Sequence, residues 1–316
     1  MKYGFLVCFS RQIVGAGLKS RWKLTILQNV RYYENVYLYR IKKNLLIFKK
    51  VGATIMLEKL VYDTKKYWKY TKYAAKSELK SEVANSHLNW LWWVLEPLLL
   101  MLVYLFIAVV AFNSNLKYFP IYIFLGLTLW NTWSGLLKNS LKLLKRNKGI
   151  ISKVYLPKLT LLFIRMLVSG FKMLISFGII VVMMICWRVP LTGNIFYAIP
   201  LMLVLILLTF GMCTILMHYG VFVEDLSNVI NVGLKLLFYM TGIFYSLEER
   251  VHGLLGNILL YGNPISFVIH SMRNAILYGK AVNLWIMLFW GIVGIILSVI
   301  GVKLIYKYEN SYVKVL

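Results

Sequence analysis

The sequence predicts an all-α membrane protein with six transmembrane helices, an interfacial helix on the cytoplasmic side before the first of them, and a re-entrant hairpin at the outer face. Hydrophobic residues make up 60% of the 316 positions, and the mean hydropathy is strongly positive, which excludes an ordinary soluble domain. The formal net charge is +25, but the Lys and Arg residues lie outside or at the ends of the apolar segments. This placement is typical of the positive-inside rule, so nucleic acid is not expected as a partner.

Long apolar windows justify the predicted transmembrane helices. About 20 apolar residues are needed to cross the hydrocarbon core. The windows that meet or approach this length are 90–112, 118–137, 160–187, 195–222, 229–245 and 282–306.

The distribution of basic residues predicts the orientation. The region before Trp90 and the link 138–158 are rich in Lys and Arg, so both are expected to face the cytoplasm. The links after the first and third windows, "NSNLK" and "RVPLTGN", are short and nearly uncharged. The sequence therefore predicts a multi-pass protein of the bacterial cytoplasmic membrane with both termini in the cytoplasm.

The chain is predicted to divide into four parts. Residues 1–56 are either a basic N-terminal arm or sequence upstream of the true start. Residues 57–89 mix Tyr and Trp with many Lys, as expected of an amphipathic helix in the headgroup layer. Residues 90–306 hold the six spans, and residues 307–316 form a cytoplasmic tail.

The link 246–281 favours the re-entrant hairpin. Its two apolar pieces are too short to cross the bilayer and are separated by Gly262-Asn263-Pro264. An outer surface loop is the other interpretation.

The stretch "LNWLWWVLEPLLL" places Glu96 and Pro97 inside an apolar run. Proline is best tolerated in the first turn of a helix and otherwise kinks it, so Pro97 predicts a helix start or a kink there. Glu96 then lies just below a tryptophan belt at the cytoplasmic interface. Its carboxylate either reaches back to water, or points into a cavity or an ion pair at a subunit contact.

Other charged residues also lie inside the predicted spans. Arg165 and Lys172 are seven residues apart and share one helix face, and Lys235 interrupts the fifth window. They indicate either a pathway for an anionic substrate, or snorkelling and helix contacts. The aromatic residues are equally open to two interpretations, as rings that stack on sugars or as interfacial anchors.

The sequence offers little to a catalytic, metal-binding or nucleotide-binding interpretation. It contains no G-x-x-x-x-G-K-S/T motif, so the chain is not expected to bind a nucleotide in that way. The four His and three Cys show no metal-ligand spacing. No metal, directly bound cofactor or enzymatic activity is expected.

The order of motifs resembles a known family, the permease subunits of type-2 ATP-binding-cassette exporters of lipid-linked O-antigen, capsule or wall teichoic acid. The similar segments are "KSELKSEVANSHLNWLWWVLEPLLLMLVY" at 76–104, "FLGLTLWNTWSGLLKNSLKLL" at 124–144, "NKGIISKVYLPKLTLL" at 147–162 and "YGNPISFVIHSMRNAILYGK" at 261–280. The resemblance covers about residues 60–316.

The resemblance implies a homodimer with a separate ATP-binding subunit, which would hold the ATP and Mg²⁺, and a lipid-linked glycan as substrate. Coupling to that subunit is assigned by resemblance to Ile151, Lys153, Tyr155, Pro157 and Lys158. The candidates for the substrate pathway are Trp92, Glu96, Tyr104, Trp130, Trp133, Lys172, Lys235, Tyr239, Phe244 and Arg273. The alternatives are an exporter of drugs or small lipids, an ATP-independent channel and a membrane-embedded transferase.

Overall fold

The computed structural model describes residues 56, 58–84, 87–112, 117–250 and 253–315. The chain divides into two units, Met1–Tyr62 and Asp63–Leu316. In the first unit the described residues are 56 and 58–62, and all are helical. The predicted arm 1–56 therefore lies outside the described residues except for its last position. The following description concerns the second unit.

The described part of the second unit is helical, with short links. Its α-helices are α1 (63–83), α2 (Trp92–Phe112), α3 (Phe119–Leu141), α4 (Leu143–Arg146), α5 (Lys148–Ile151), α6 (Lys158–Cys186), α7 (Ala198–Phe222), α8 (Leu226–Met240), α9 (Leu247–Arg250), α10 (Gly253–Tyr261), α11 (Pro264–Leu277), α12 (Leu284–Lys307) and α13 (Glu309–Val315). Short 3₁₀ helices at Asn89–Leu91 and Gly193–Tyr197 precede α2 and α7.

Three helical segments among the described residues are long and apolar enough to cross a membrane: Lys158–Cys186, Gly193–Phe222 and Leu284–Lys307. They confirm an all-helical membrane protein and match three of the predicted windows. The apolar segments Trp92–Ile107 and Leu226–Met240 are shorter. The full count of six crossings stays a prediction.

Helix α3 is at the centre of the packing. It contacts α2, α6, α7, α8 and α11, and 17 of its 23 residues are buried. The buried residues include the small and polar Gly126, Thr128, Ser134 and Ser140, so α3 can be less apolar than a lipid-exposed span.

Small residues let α7 and α12 pack closely. A Cβ atom added at Gly211 would lie 2.7 Å from the backbone nitrogen of Ser298. The Ser298 hydroxyl donates to the carbonyl of Leu207 at 3.1 Å. Such glycine-mediated approach is the usual way for membrane helices to associate.

Pro97 does not begin a helix, so of the predicted helix start or kink the helix start is not observed. Helix α2 starts at Trp92, which places Pro97 inside the helix in its second turn. Pro97 has no N–H to donate to the carbonyl of Trp93, and proline at such a position kinks a helix. The aromatic residues before it already adopt helical conformation, which moves the helix start five residues upstream.

In its described part, the link where a hairpin is predicted holds the short helices α9, α10 and α11. Helix α10 ends at Tyr261 and α11 begins at Pro264. Asn263 caps α11, since its side chain accepts a hydrogen bond from the Ile265 N–H at 3.2 Å. Pro264 occupies the first turn of α11, where its missing N–H costs no hydrogen bond. The break at Gly262-Asn263 is thus observed, while its depth in a membrane stays a prediction.

Candidate functional site

Four of the predicted pathway aromatics contact one ring, that of Phe238 in α8, and a fifth contacts one of these four. The rings of Tyr104, Trp130, Tyr239 and Phe244 have centroids 5.9, 5.4, 5.6 and 5.2 Å from it. Trp133 joins through Trp130, at 5.3 Å. These six residues are called the aromatic cluster. Phe238 is not among the residues predicted from the sequence, where the available signal was its position next to the aromatic Tyr239.

The aromatic cluster extends from the protein core to the surface. Trp130 and Trp133 are 5% and 3% exposed, whereas Tyr239 is 66% exposed. The cluster thus forms an aromatic surface, and its accessible edge is the ring of Tyr239. Trp92, at the start of α2, is exposed and lies outside this group.

A row of exposed polar side chains runs along α8 and ends at this edge. Asn228, Asn231, Lys235 and Tyr239 are all exposed, and their spacing of three or four residues puts them on one helix face. They are called the polar stripe. Leu234, on another face, is buried. Lys235 therefore belongs to a continuous polar surface inside an otherwise apolar helix.

Arg165 and Lys172 of α6 are both paired with α1. Arg165 forms an ion pair with Glu78, and the Lys172 ammonium lies 2.5 Å from the Glu82 carboxylate. The two acids are four residues apart and face the same way. The helix-contact interpretation of these basic residues is thus observed.

Lys172 also lines a cleft, together with Glu96. The cleft has a volume of about 260 Å³ and lies between α2, α3 and α6. Its polar wall includes Thr128, Asn131 and Ser169. Glu96 thus lines a protein cavity and is also exposed, and both interpretations of its position in the sequence stay predictions. A role for Glu96 or Lys172 in the substrate pathway stays a prediction.

Arg273 is buried and donates to three backbone carbonyls. Its Nε, Nη1 and Nη2 atoms lie 3.0, 2.9 and 3.0 Å from the carbonyl oxygens of Tyr122, Gly242 and Ile243. The guanidinium also lies 3.5 Å from the centre of the Tyr122 ring. Arg273 therefore fixes the turn that leads to Phe244 in the aromatic cluster, while direct contact with substrate stays a prediction.

The predicted coupling residues separate into an outer and an inner set. Lys153 and Tyr155 are exposed, and so is Val154 between them. The inner set is buried and consists of Ile151, Pro157 and Lys158. The exposed residues of the link thus form a basic, partly apolar surface, and its buried residues pack against the rest of the protein.

Buried charges lie beneath this surface. Asp63, Lys158 and Glu309 are 8%, 3% and 7% exposed. The Tyr306 hydroxyl donates to the Asp63 carboxylate at 2.9 Å, and the Tyr155 hydroxyl hydrogen-bonds Glu309. Partial burial and the neighbouring Glu309 carboxylate raise the pKa of Tyr155. These five residues join the link to α1, α12 and α13. The three buried charged residues among them, Asp63, Lys158 and Glu309, are called the buried charge cluster.

No family model matches the chain, but curated proteins do. It is 26% identical over 240 residues to the O-antigen export system permease protein RfbA of Klebsiella pneumoniae, with 76% of this chain and 92% of the relative covered. A second Klebsiella pneumoniae protein of that name is 24% identical over 240 residues, covering the same shares. A Myxococcus xanthus protein of that name is 25% identical over 201 residues, or 64% of this chain and 77% of the relative.

The chain resembles the permease subunits of polysaccharide exporters. The predicted resemblance to the type-2 ATP-binding-cassette permeases is confirmed by relatives that match over most of its length. It indicates a transporter subunit rather than an enzyme.

Proposed function

We propose that this chain is the membrane permease of an exporter that moves an undecaprenyl-linked polysaccharide, O-antigen or teichoic acid across the cytoplasmic membrane. Hydrolysis of ATP on a separate subunit supplies the energy. The observation that carries the proposal is the aromatic cluster with the polar stripe beside it. The names of the relatives, which describe O-antigen export, support the same substrate class.

The composition of this surface suits a glycan. Aromatic rings offer flat apolar faces to the C–H faces of sugars, while amide and ammonium groups hydrogen-bond their hydroxyls. Tyr239 has the exposed ring, and Asn231 and Lys235 supply the donors on the same face of α8. A sugar chain can therefore move along α8 without meeting a purely apolar wall.

The position of Lys235 favours a homodimer. A charged side chain is costly when it faces lipid in the middle of an apolar helix. Lys235 is exposed in this single chain, between exposed Val232 and Leu236. A second copy that places its own α8 opposite would enclose both polar stripes in a conduit, and the apolar neighbours would form the contact.

The proposed topology follows the charge distribution. Six spans place both termini and the link 138–158 in the cytoplasm, because the basic residues concentrate there. Helices α10 and α11 then form the re-entrant hairpin at the outer mouth of the conduit. The anchoring of α11 by Arg273 keeps this hairpin close to the aromatic cluster.

The ATP-binding partner is proposed to dock on the link that follows α5. Lys153, Val154 and Tyr155 are its exposed residues, and a mixed apolar and basic patch fits a protein surface. ATP and Mg²⁺ are then held by the partner. The buried charge cluster beneath the patch passes movement of the link to α1 and α13.

Conditional depletion of the protein tests the proposal. Undecaprenyl-linked glycans are extracted and quantified by mass spectrometry, with re-expressed wild-type protein as the control. We expect a lipid-linked glycan to accumulate on the cytoplasmic side and to disappear on re-expression. An unchanged pool would exclude this substrate class and favour the export of drugs or small lipids.

A further inference from the structure

A second cavity lies at the ends of α3 and α7, where α8 begins. Its volume is about 440 Å³. Three basic residues line it: Lys142, Lys145 and Arg146. It is separate from the aromatic cluster and from the cleft that contains Glu96.

The basic residues of this cavity are arranged on one turn. The Arg146 N–H donates to the Lys142 carbonyl at 2.9 Å, so these two residues are one helical turn apart. The carboxylate that lines the cavity is Glu224, which pairs with Lys145 at 2.9 Å. Hydrogen bonding from Lys145 holds the pKa of Glu224 below its usual range, so Glu224 is ionised at neutral pH. Lys142 and Arg146 remain as the cations not offset by a carboxylate of the lining.

The wall of the cavity is held by a close backbone contact. A Cβ atom at Gly220 would lie 2.1 Å from the carbonyl oxygen of Leu141. The end of α3 and the end of α7 therefore touch directly. Such contact fixes the spacing between the basic turn and Glu224, as a preformed ligand site requires.

The cavity is also the starting point of the polar stripe. Ser227 lines it, and the next residue, Asn228, is the first of the stripe. In the proposed topology this position is the cytoplasmic boundary of the membrane, where lipid phosphate groups lie. Clustered Lys and Arg at that depth attract such groups.

We propose that this cavity binds the phosphate or pyrophosphate group of a lipid, with Lys142 and Arg146 as its direct contacts. Glu224 holds Lys145 in place and limits the affinity, so that the anion can leave. If the proposed function is correct, the anion is the pyrophosphate of the lipid carrier, and its glycan enters the polar stripe at Asn228. Ordinary anionic phospholipid shares the same chemistry and is the other source.

The test measures lipid binding to the full-length protein in nanodiscs of phosphatidylcholine by native mass spectrometry. The two probes are a polyprenyl pyrophosphate without glycan and phosphatidylglycerol. The site variant is Lys142→Gln with Arg146→Gln. Its matched control is Lys138→Gln with Lys148→Gln, which removes two exposed basic residues of the same region that do not line the cavity.

We expect the site variant to bind the pyrophosphate lipid about tenfold more weakly, because charge-assisted hydrogen bonds are lost. The control pair should bind as the wild type does. Glu224→Gln should strengthen binding by about threefold, since it removes the competing carboxylate and releases Lys145. Unchanged thermal unfolding of each variant shows that the fold is retained.

The two probes separate the sources of the phosphate. Preference for pyrophosphate over phosphatidylglycerol assigns the site to the lipid carrier, whereas equal affinity assigns it to bulk anionic lipid. Equal losses of lipid binding in the site and control variants would overturn the proposal. It would also be overturned if the site variant bound lipid as the wild type does and lost only the co-purifying ATP-binding subunit. Depletion that leaves the glycan pool unchanged, together with normal binding here, would refute the proposed function alone.

Discussion

The ammonium of Lys172 lies 2.5 Å from the Glu82 carboxylate, which joins the middle of α6 to the C-terminal end of α1. Together with the pair Arg165–Glu78, this contact holds α1 along one face of α6. At about 1.5 Å of rise per residue, the 29 residues of α6 extend about 43 Å, more than the roughly 30 Å of a hydrocarbon core. Arg165 can therefore lie near the cytoplasmic headgroups, because the rest of α6 after it extends about 32 Å. The part of α6 after Lys172 extends only about 21 Å, so the pair of Lys172 with Glu82 lies deeper, where an ion pair offsets the cost of a charge.

Reversing the charge of one partner should loosen α1. We expect Glu82→Lys to lower the free energy of unfolding by about 0.5–1 kcal/mol, because both side chains are partly exposed. The swap Glu82→Lys with Lys172→Glu should recover at least half of that loss. Thermal unfolding in detergent measures the stability of the single variants and of the swap. If the swap loses as much stability as its two single variants together, the two side chains do not form a direct pair.

The exposed edge of the aromatic cluster should matter for export more than for folding. We expect Tyr239→Ala to reduce glycan export about tenfold with unchanged abundance, since it removes a stacking surface. Phe106→Ala is the matched control, because Phe106 is an aromatic residue outside the aromatic cluster that is 70% exposed, and Tyr239 is 66% exposed. Similar export in the two variants would contradict a role of the Tyr239 ring in the substrate pathway.

Close packing around Arg273 should be sensitive at Gly126. A Cβ atom at Gly126 would lie 2.2 Å from Nη2 of Arg273, whereas one at Gly135 in the same helix meets nothing within 4 Å. We expect Gly126→Ala to displace the guanidinium and to cost about 1–3 kcal/mol, through weakened hydrogen bonds to buried carbonyls. Gly135→Ala should be neutral. Membrane abundance and thermal unfolding are measured for both variants. If Gly126→Ala is as stable as Gly135→Ala, the Arg273 side chain can move aside without a loss of stability.

The coupling link should respond differently at its exposed and buried lysines. We expect Lys153→Glu to reduce co-purification of the ATP-binding subunit without loss of abundance, because its side chain is exposed on the proposed docking surface. Lys158→Glu should instead lower abundance, since it places a third carboxylate beside buried Asp63 and Glu309. Immunoblotting of membranes and pull-down of the partner separate the two effects. Loss of the partner in Lys158→Glu at normal abundance would show that this residue contacts it directly.

The core of the candidate site was predictable in part. Aromatic side chains at the predicted spans marked Tyr104, Trp130 and Phe244, because each lies in or beside an apolar window. Their convergence on Phe238 was not predictable, since it depends on how α2, α3 and α8 pack. The same holds for Arg273, whose partners Tyr122 and Gly242 are distant in sequence.

The sequence by itself determined which segments are apolar helices, because the need for about 20 apolar residues per crossing is a local property of the chain. It also determined where the basic residues concentrate, and hence the predicted orientation. Tertiary structure alone decided that Lys172 meets Glu82, that Asp63 meets Tyr306, and that Lys142 and Arg146 line a cavity with Glu224. These contacts join residues far apart in the chain, and ion pairs carry no periodic signal in sequence that would identify their partners.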